Sequence, residues 1–255
     1  MRTLLAFWKK EWRGQLRSGK LWILGGVFLL IGLMTPVTAK LTPLLYELLA
    51  DTLAQSGMTV TAVSVTALDS WTQFFKNIPI ALIVFLLIES NLFTKEYQSG
   101  TLILALTKGL SRYKVLVSKA AVLLLTWTAG YWISFGVTYG VNAFFWENSI
   151  AQRLPFAAVC WWLLGLWTVT LAVLFSTVVR SNIGVLAGTG GVFFGVYLLG
   201  LLPRIGDWCP TVLMNGSALI YGAEDGEWLG AVLITVALSV VCLLVSVPIL
   251  NKKQL

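Results

Sequence analysis

Histidine is absent from this 255-residue sequence. That removes the commonest general base and the commonest metal ligand. Cysteine occurs only three times, at Cys160, Cys209 and Cys242. The three are far apart and two sit in apolar runs, so neither a disulfide framework nor a zinc site is indicated. They read as small packing residues. Charge is also scarce, 11% of residues against ~25% in a soluble domain. Carboxylates are the scarcer sign, eleven against eighteen Lys and Arg, for a formal net charge of +7. Of these acids only Glu89 falls inside a long apolar run. A proton relay therefore has nowhere to go.

What is present is apolar surface, 58% of residues, in runs long enough to cross a bilayer. Six spans are expected, at Leu21 to Ala39, Ile78 to Phe93, Ala120 to Phe145, Phe156 to Val179, Ile183 to Leu202 and Trp228 to Leu250. The fold class is an all-α integral membrane protein, a single transmembrane domain over residues 1–255. The basic charges flank the spans, which points to membrane lipid as the partner and not to nucleic acid. Residues 1–20 read as an amphipathic helix in the membrane interface, with Leu4, Trp8, Trp12 and Leu16 as its apolar stripe and Lys9, Lys10, Arg13 and Arg17 mostly off it. The alternative is the basic region of a signal peptide, with Val37-Thr38-Ala39 as a cleavage-like site. The length of the basic region and five further spans favour the interfacial helix. Trp22, Trp71, Trp146, Trp208 and Trp228 lie near span ends, where interfacial tryptophans are expected.

Residues 40–77 and 203–227 read as outer loops, the first with a short surface helix around Leu44, Leu48 and Leu49. Residues 95–119 form a basic loop between spans two and three. Its apolar run Leu102, Ile103, Leu104, Ala105 and Leu106 covers about 7.5 Å of helix, far short of a ~30 Å bilayer core. Such a run lies on the membrane surface or presses on a partner. Gly100 ends the extension of span two, Thr101 and Gly109 bound a short helix, and Ser111 caps the next one. Leu110 and Val115 are spaced as a hydrophobic staple.

Three other features have a chemical and a structural reading. Gly14-Gln-Leu-Arg-Ser-Gly19-Lys20-Leu21 nearly matches a phosphate-binding loop, but Leu21 stands where a magnesium-ligating hydroxyl belongs. No strand precedes it, so it reads as a basic hinge. Gly184 to Gly188 and Gly191 to Gly195 repeat the GxxxG spacing that lets helices approach closely, within one chain or between two. Glu89 is either an intramembrane polar site or an interfacial acid paired with Lys95 or Lys119.

Three stretches resemble the ABC-2-type membrane permeases of ABC exporters. They are FWKKEWRGQLRSGKLWI, KEYQSGTLILALTKGLSRYKVLVSK, and the LLP after span five with Cys209-Pro210 following. In the second, Glu96, Gly100, Thr101, Leu102, Ser111, Arg112 and Lys119 match the recurring positions. The resemblance implies an elbow helix before span one and a coupling helix in loop 95–119. It also implies a dimer of permease chains, identical or paralogous, and two cytoplasmic ABC ATPase subunits. The ATPase-coupling set would be Glu96, Gly100, Thr101, Leu102, Ile103, Leu104, Leu106, Ser111 and Arg112. ATP and magnesium would sit on the ATPase, and this chain would bind no cofactor and do no catalysis. The setting implied is the cytoplasmic membrane of a bacterium, and the outer segment after span five is expected to dip into the membrane. The long loop 40–77 is not part of the family pattern.

The leading function is the permease half of an ATP-driven exporter of a hydrophobic or amphipathic substrate, a lipid, peptide or drug-like molecule. The alternative is an ATP-independent channel or secondary transporter, against which the shortage of intramembrane ionisable residues counts. An intramembrane enzyme is the weakest class, since HExxH and GxSxG are both absent.

With both termini in the cytoplasm, fourteen of the eighteen cations fall inside and only Lys40, Lys76, Arg153 and Arg204 outside. Gln98→Cys should therefore resist an impermeant thiol reagent in intact cells, and Ser56→Cys should react, in a background lacking the native cysteines. The reverse labelling pattern would overturn this orientation.

Overall fold

A computed structural model describes residues 2–55, 64–91, 94–95, 100, 107, 111–203, 205–224 and 226–253. Its helices are α1 (Arg2–Arg17), α2 (Lys20–Gln55), α3 (Ala67–Glu89), α4 (Arg112–Phe145), α5 (Leu154–Val178), α6 (Asn182–Leu199), α7 (Gly216–Ile220) and α8 (Gly226–Lys252). Single 3-10 turns occupy Asn148–Ile150, Gly206–Trp208 and Pro210–Met214. No strand occurs among the described residues. Among the described residues six helices, α2 to α6 and α8, are long and apolar enough to cross a membrane, so the chain is an all-α, multi-pass membrane protein.

Helix α1 ends and α2 begins at Gly19, whose φ of +76° makes the turn. The near-phosphate-loop stretch is therefore a helix, a bend and a helix. Lys20 and Lys40 stand about 30 Å apart along α2, the thickness of a bilayer core. The Lys40 ammonium lies over the rings of Phe145 and Trp146, 5.2 and 5.8 Å from their centroids.

Much of the expected loop 40–77 is helix. Helix α2 runs on through Pro36 and Pro43 to Gln55, and α3 starts at Ala67. An apolar window sees only the membrane-length part of a helix. The continuation to Gln55 is Leu- and Ala-rich with few formal breakers, which sustains helix beyond it. Pro36 has no N–H to donate to the Gly32 carbonyl. Thr138 from α4 replaces it, its hydroxyl donating to Gly32 O at 3.0 Å. Gly32 permits that approach, because a Cβ there would stand 2.7 Å from the Ser134 carbonyl oxygen. At the start of α3 the Asp69 carboxylate accepts from the Thr66 backbone N–H at 2.8 Å, one half of a capping box.

Helix α5 is the axle of the bundle, with residues such as Ala157, Trp161, Leu164 and Trp167 all but fully buried. Phe28, Trp71, Phe74, Phe85, Trp127 and Tyr131 form a chain of edge and tilted ring contacts beside it. Gly165 makes room for Trp127, whose Cζ2 would lie 2.0 Å from a Cβ added there. The Trp127 indole N–H then donates to Trp162 O at 3.1 Å, and the Tyr131 hydroxyl to Ala158 O at 2.8 Å. Trp71 is thus part of the core and not an interfacial anchor, and Trp228 is also buried, while Trp22 and Trp208 are exposed. The connection 203–227 folds back on the bundle, burying Leu213, Leu219 and Ile220. Trp161 holds it there by donating to Met214 O at 3.0 Å.

Replacing Thr138 with Val should lower the melting free energy in detergent by ~0.5–2 kcal/mol, as expected for a membrane-buried hydrogen bond. In a Pro36→Ala background the helix donates to Gly32 itself, and the same replacement should cost much less. Equal losses in both backgrounds would show that Thr138 does not serve the proline.

Candidate functional site

The expected coupling loop joins α3 to α4. Of its predicted residues, Glu96, Thr101, Leu102, Ile103, Leu104 and Leu106 lie outside the described residues, as do Gly109 and Leu110. Gly100 has φ +66°, a conformation suited to a chain break. Ser111 occupies the N-cap of α4 with extended backbone. The described residues that bracket the loop carry the organised chemistry.

Helix α1 packs on α2 and α4, and it turns a polar edge inward. Phe7, Glu11 and Gln15, spaced by four, are its buried positions among the described side chains. The expected apolar stripe is turned about 100° from them; of its members, the Leu4 side chain lies outside the described residues. Trp8 and Trp12 stack at 6.3 Å on this flank, half-buried, and Leu16 is exposed.

Glu11 and Gln15 each reach one end of the loop. Lys119, 1% exposed on α4, donates to Glu11 Oε2 at 2.9 Å, and the exposed Lys10 donates to Oε1 at 3.0 Å. Gln15 Nε2 donates to Glu89 Oε2 at 2.6 Å. Lys20, from the start of α2, lies 3.5 Å from the same oxygen and also donates to Asn91 Oδ1. Glu89 is therefore a paired, buried acid, and its partners are Lys20 and Gln15, where Lys95 or Lys119 had been expected. Its other oxygen and Gln15 Oε1 are buried without a partner among the described residues.

Two further ties complete the ring. Thr94, buried just past α3, donates to Asn182 Oδ1 at the start of α6. The Arg112 guanidinium donates to the carbonyls of Leu250, Asn251 and Lys253 at 2.8, 3.0 and 2.6 Å. It caps the free carbonyls at the C-terminus of α8, where a cation is favoured. Lys253 in turn donates to Val179 O at 3.0 Å. Burial and the neighbouring Arg180 push its ammonium down to about 8. At this basic end of the bundle, side chains around the loop tie to α1, α2, α6 and α8.

At the other end, a cleft opens between α3 and α6 above α5. It holds a cavity of about 430 Å³ edged by Thr72, Lys76, Asn215 and Ser217, and a wholly apolar one of about 260 Å³ edged by Leu82, Ile83, Leu86 and Phe193. Pro79, Trp161 and Met214 line both, so the two are adjacent. The cleft offers polar and apolar contacts in sequence along α3.

The glycines of α6 divide by role. Gly188 packs within the chain, since a Cβ there would meet the Phe175 ring at 2.3 Å, and Gly184 lies close to Ser181 and Val179. Gly191 and Gly195 face open space. The three cysteines are buried free thiols. Burial raises the Cys209 thiol above its ordinary range.

Sequence reasoning missed Glu11, Gln15 and Asn91. The available signal was a lone carboxylate amid Lys9, Lys10 and Arg13, one helical turn from Gln15 and one from Phe7. Removing one partner of a buried ion pair costs ~3–5 kcal/mol, whereas an apolar replacement of both can be neutral. Glu11→Gln should therefore lower stability by about 3 kcal/mol in detergent melts, and the double variant Glu11→Leu with Lys119→Met should regain most of it. Additive losses would show that the pair is not coupled.

Comparison with curated proteins returned no match. A family model described as "ABC-2 family transporter protein" matches residues 5–209. The match takes in most of α1, the contacts of Glu11, Gln15, Lys20, Glu89 and Lys119, and the α3 and α6 walls of the cleft, and with six membrane-length helices it places the function in membrane transport. The chain belongs to the ABC-2 transporter family.

Proposed function

We propose that this chain is the permease subunit of an ABC exporter in the cytoplasmic membrane of a bacterium. It works with two cytoplasmic ATPase subunits, which bind the ATP and magnesium, and with a second permease chain. The basic end faces the cytoplasm, and α1 lies in the interface with Trp8, Trp12 and Leu16 toward lipid. The apolar run Leu102 to Leu106 docks on the ATPase. The open Gly191 and Gly195 face of α6 meets the second permease chain.

The observation that carries this reading is the ring of ties around loop 90–111. Both helices that leave the loop are anchored to α1 by buried polar contacts, Glu89 to Gln15 and Lys119 to Glu11. A push on the loop is thereby shared among α1, α3 and α4, and α3 forms one wall of the cleft. The cleft, polar at one end and apolar at the other, suits an amphipathic substrate. Glu89 is held by Lys20 and Gln15 and does not line the cleft.

Leu104→Asp should abolish ATPase association in pull-downs, or leave association without substrate-stimulated hydrolysis, at unchanged membrane expression. A charge placed in an apolar contact has no compensating partner. Lys108→Ala should have a smaller, salt-sensitive effect, as a rim charge does. Normal association and transport in the Leu104 variant would overturn the docking assignment, and transport by the purified chain without an ATPase would favour an ATP-independent carrier.

A further inference from the structure

Among the described residues that line the cleft between α3 and α6, one side chain is charged, Lys76. By hydropathy Lys76 belongs to the outer loop 40–77; the structure sets it inside α3, nine residues after Ala67 and thirteen before Glu89. Thirteen residues of helix cover about 20 Å of a ~30 Å bilayer core. With Glu89 at one face, Lys76 then stands about 10 Å inside the other. A charge at that depth marks a functional site or else reaches for the nearest water. Lys76 makes no ion pair or hydrogen bond with a described residue. It lines the cavity of about 430 Å³ together with Thr72, Thr211, Asn215 and Ser217. The Thr72 hydroxyl, one helical turn away, is buried and has no partner among the described residues. Beyond Pro79 the polarity stops. In the adjoining cavity of about 260 Å³, Thr168 and Thr189 spend their hydroxyls on Leu164 O and Val185 O, both at 2.8 Å. Leu82, Ile83, Leu86 and Phe193 present only hydrocarbon. From Lys76 to Leu86 the wall of the cleft runs about 15 Å.

We propose that the cleft takes as cargo an amphiphile with one anionic headgroup and a single alkyl chain, and that Lys76 sets this charge preference. The inference rests on the reading of the cleft as the substrate site and names the class of substrate. An anionic head supplies the partner that the Lys76 ammonium lacks, in surroundings where an unpaired charge is costly. Its oxygens also accept from the Thr72, Thr211 and Ser217 hydroxyls and the Asn215 amide. A cationic head meets a like charge with no carboxylate among the described lining residues to offset it. The apolar cavity is below the ~300–1,000 Å³ of drug-sized ligands. It therefore suits one slim chain and not a ring system or paired tails.

The test is binding to the full-length chain in a neutral detergent, by native mass spectrometry, with three probes that share a twelve-carbon chain: laurate, dodecanol and dodecyltrimethylammonium. Laurate should bind best and dodecyltrimethylammonium worst. Lys76→Gln should weaken laurate by ~10–100-fold, the worth of a hydrogen bond to a charged group, and bring it level with dodecanol. Lys76→Arg should keep the preference. Because Lys76 has no partner among the described residues, the Gln variant should melt as the unchanged chain does. Gly190→Leu narrows the apolar cavity and should weaken laurate and dodecanol alike. Laurate binding no better than dodecanol, or unchanged in Lys76→Gln, would overturn the proposal and leave Lys76 as a lysine that reaches for water. In the transporter assembled with its ATPase, laurate should raise ATP turnover, and should fail to do so in Lys76→Gln. Laurate that binds through Lys76 without raising turnover would overturn its place as cargo. The binding measurements need no ATPase, so failure of the exporter reading and failure of this site are read separately.

Discussion

A charge removed from water must find an opposite charge or a hydrogen bond, and that constraint organises the basic end of this molecule. Lys119 and Glu89 stand at membrane-helix ends, almost wholly buried. Each is tolerated because α1 brings Glu11 or Gln15 against it. The desolvation of such groups offsets much of their attraction, so the contacts contribute less to net stability than to geometry. Their effect is to make α1 a fixed part of the bundle. A helix that reads as a surface float is bolted to both helices that leave the loop.

The rest of the fold divides into a tight half and an open half. Around α5, glycines at 130 and 165 admit the rings of Phe28 and Trp127, and indole and phenol groups find backbone acceptors. Helices α6 and α8 bury far less, and α6 has only Val185 and Thr189 fully covered. Their exposed side chains are apolar, Ile183, Phe194 and Leu198 on α6 and Leu233 and Leu244 on α8. In a membrane this surface needs no protein cover, because lipid solvates it. The proposed exporter uses part of it for a second chain. The cleft between α3 and α6 lies where the tight half meets the open one.

Local chemistry also explains how long polar-flanked helices persist. Pro36 would orphan the Gly32 carbonyl inside an apolar environment, and the Thr138 hydroxyl on α4 supplies the donor. Arg112 does the same for the last carbonyls of α8. In both places a side chain from a helix distant in sequence completes a backbone hydrogen-bond account.

The class of molecule and the number of spans were legible in the sequence. Bilayer thickness fixes the length of an apolar run, and each of the six runs met it independently of its neighbours. The break at Gly19 was legible as well, since glycine allows the positive φ that the turn requires. The extension of α2 to Gln55 was less so, because an apolar window ends at the membrane although helix propensity does not. The capping box at Thr66 and Asp69 was written in the sequence and overlooked. What the sequence could not determine is which polar residue faces which. Helical spacing placed Trp8, Trp12 and Leu16 on one stripe and Glu11 and Gln15 on another, but not which stripe turns inward. Only the packing of α1 on α2 and α4 decided that. The partner of a buried charge is set by the meeting of helices 74 or 108 residues apart in the chain, and no local pattern encodes that distance.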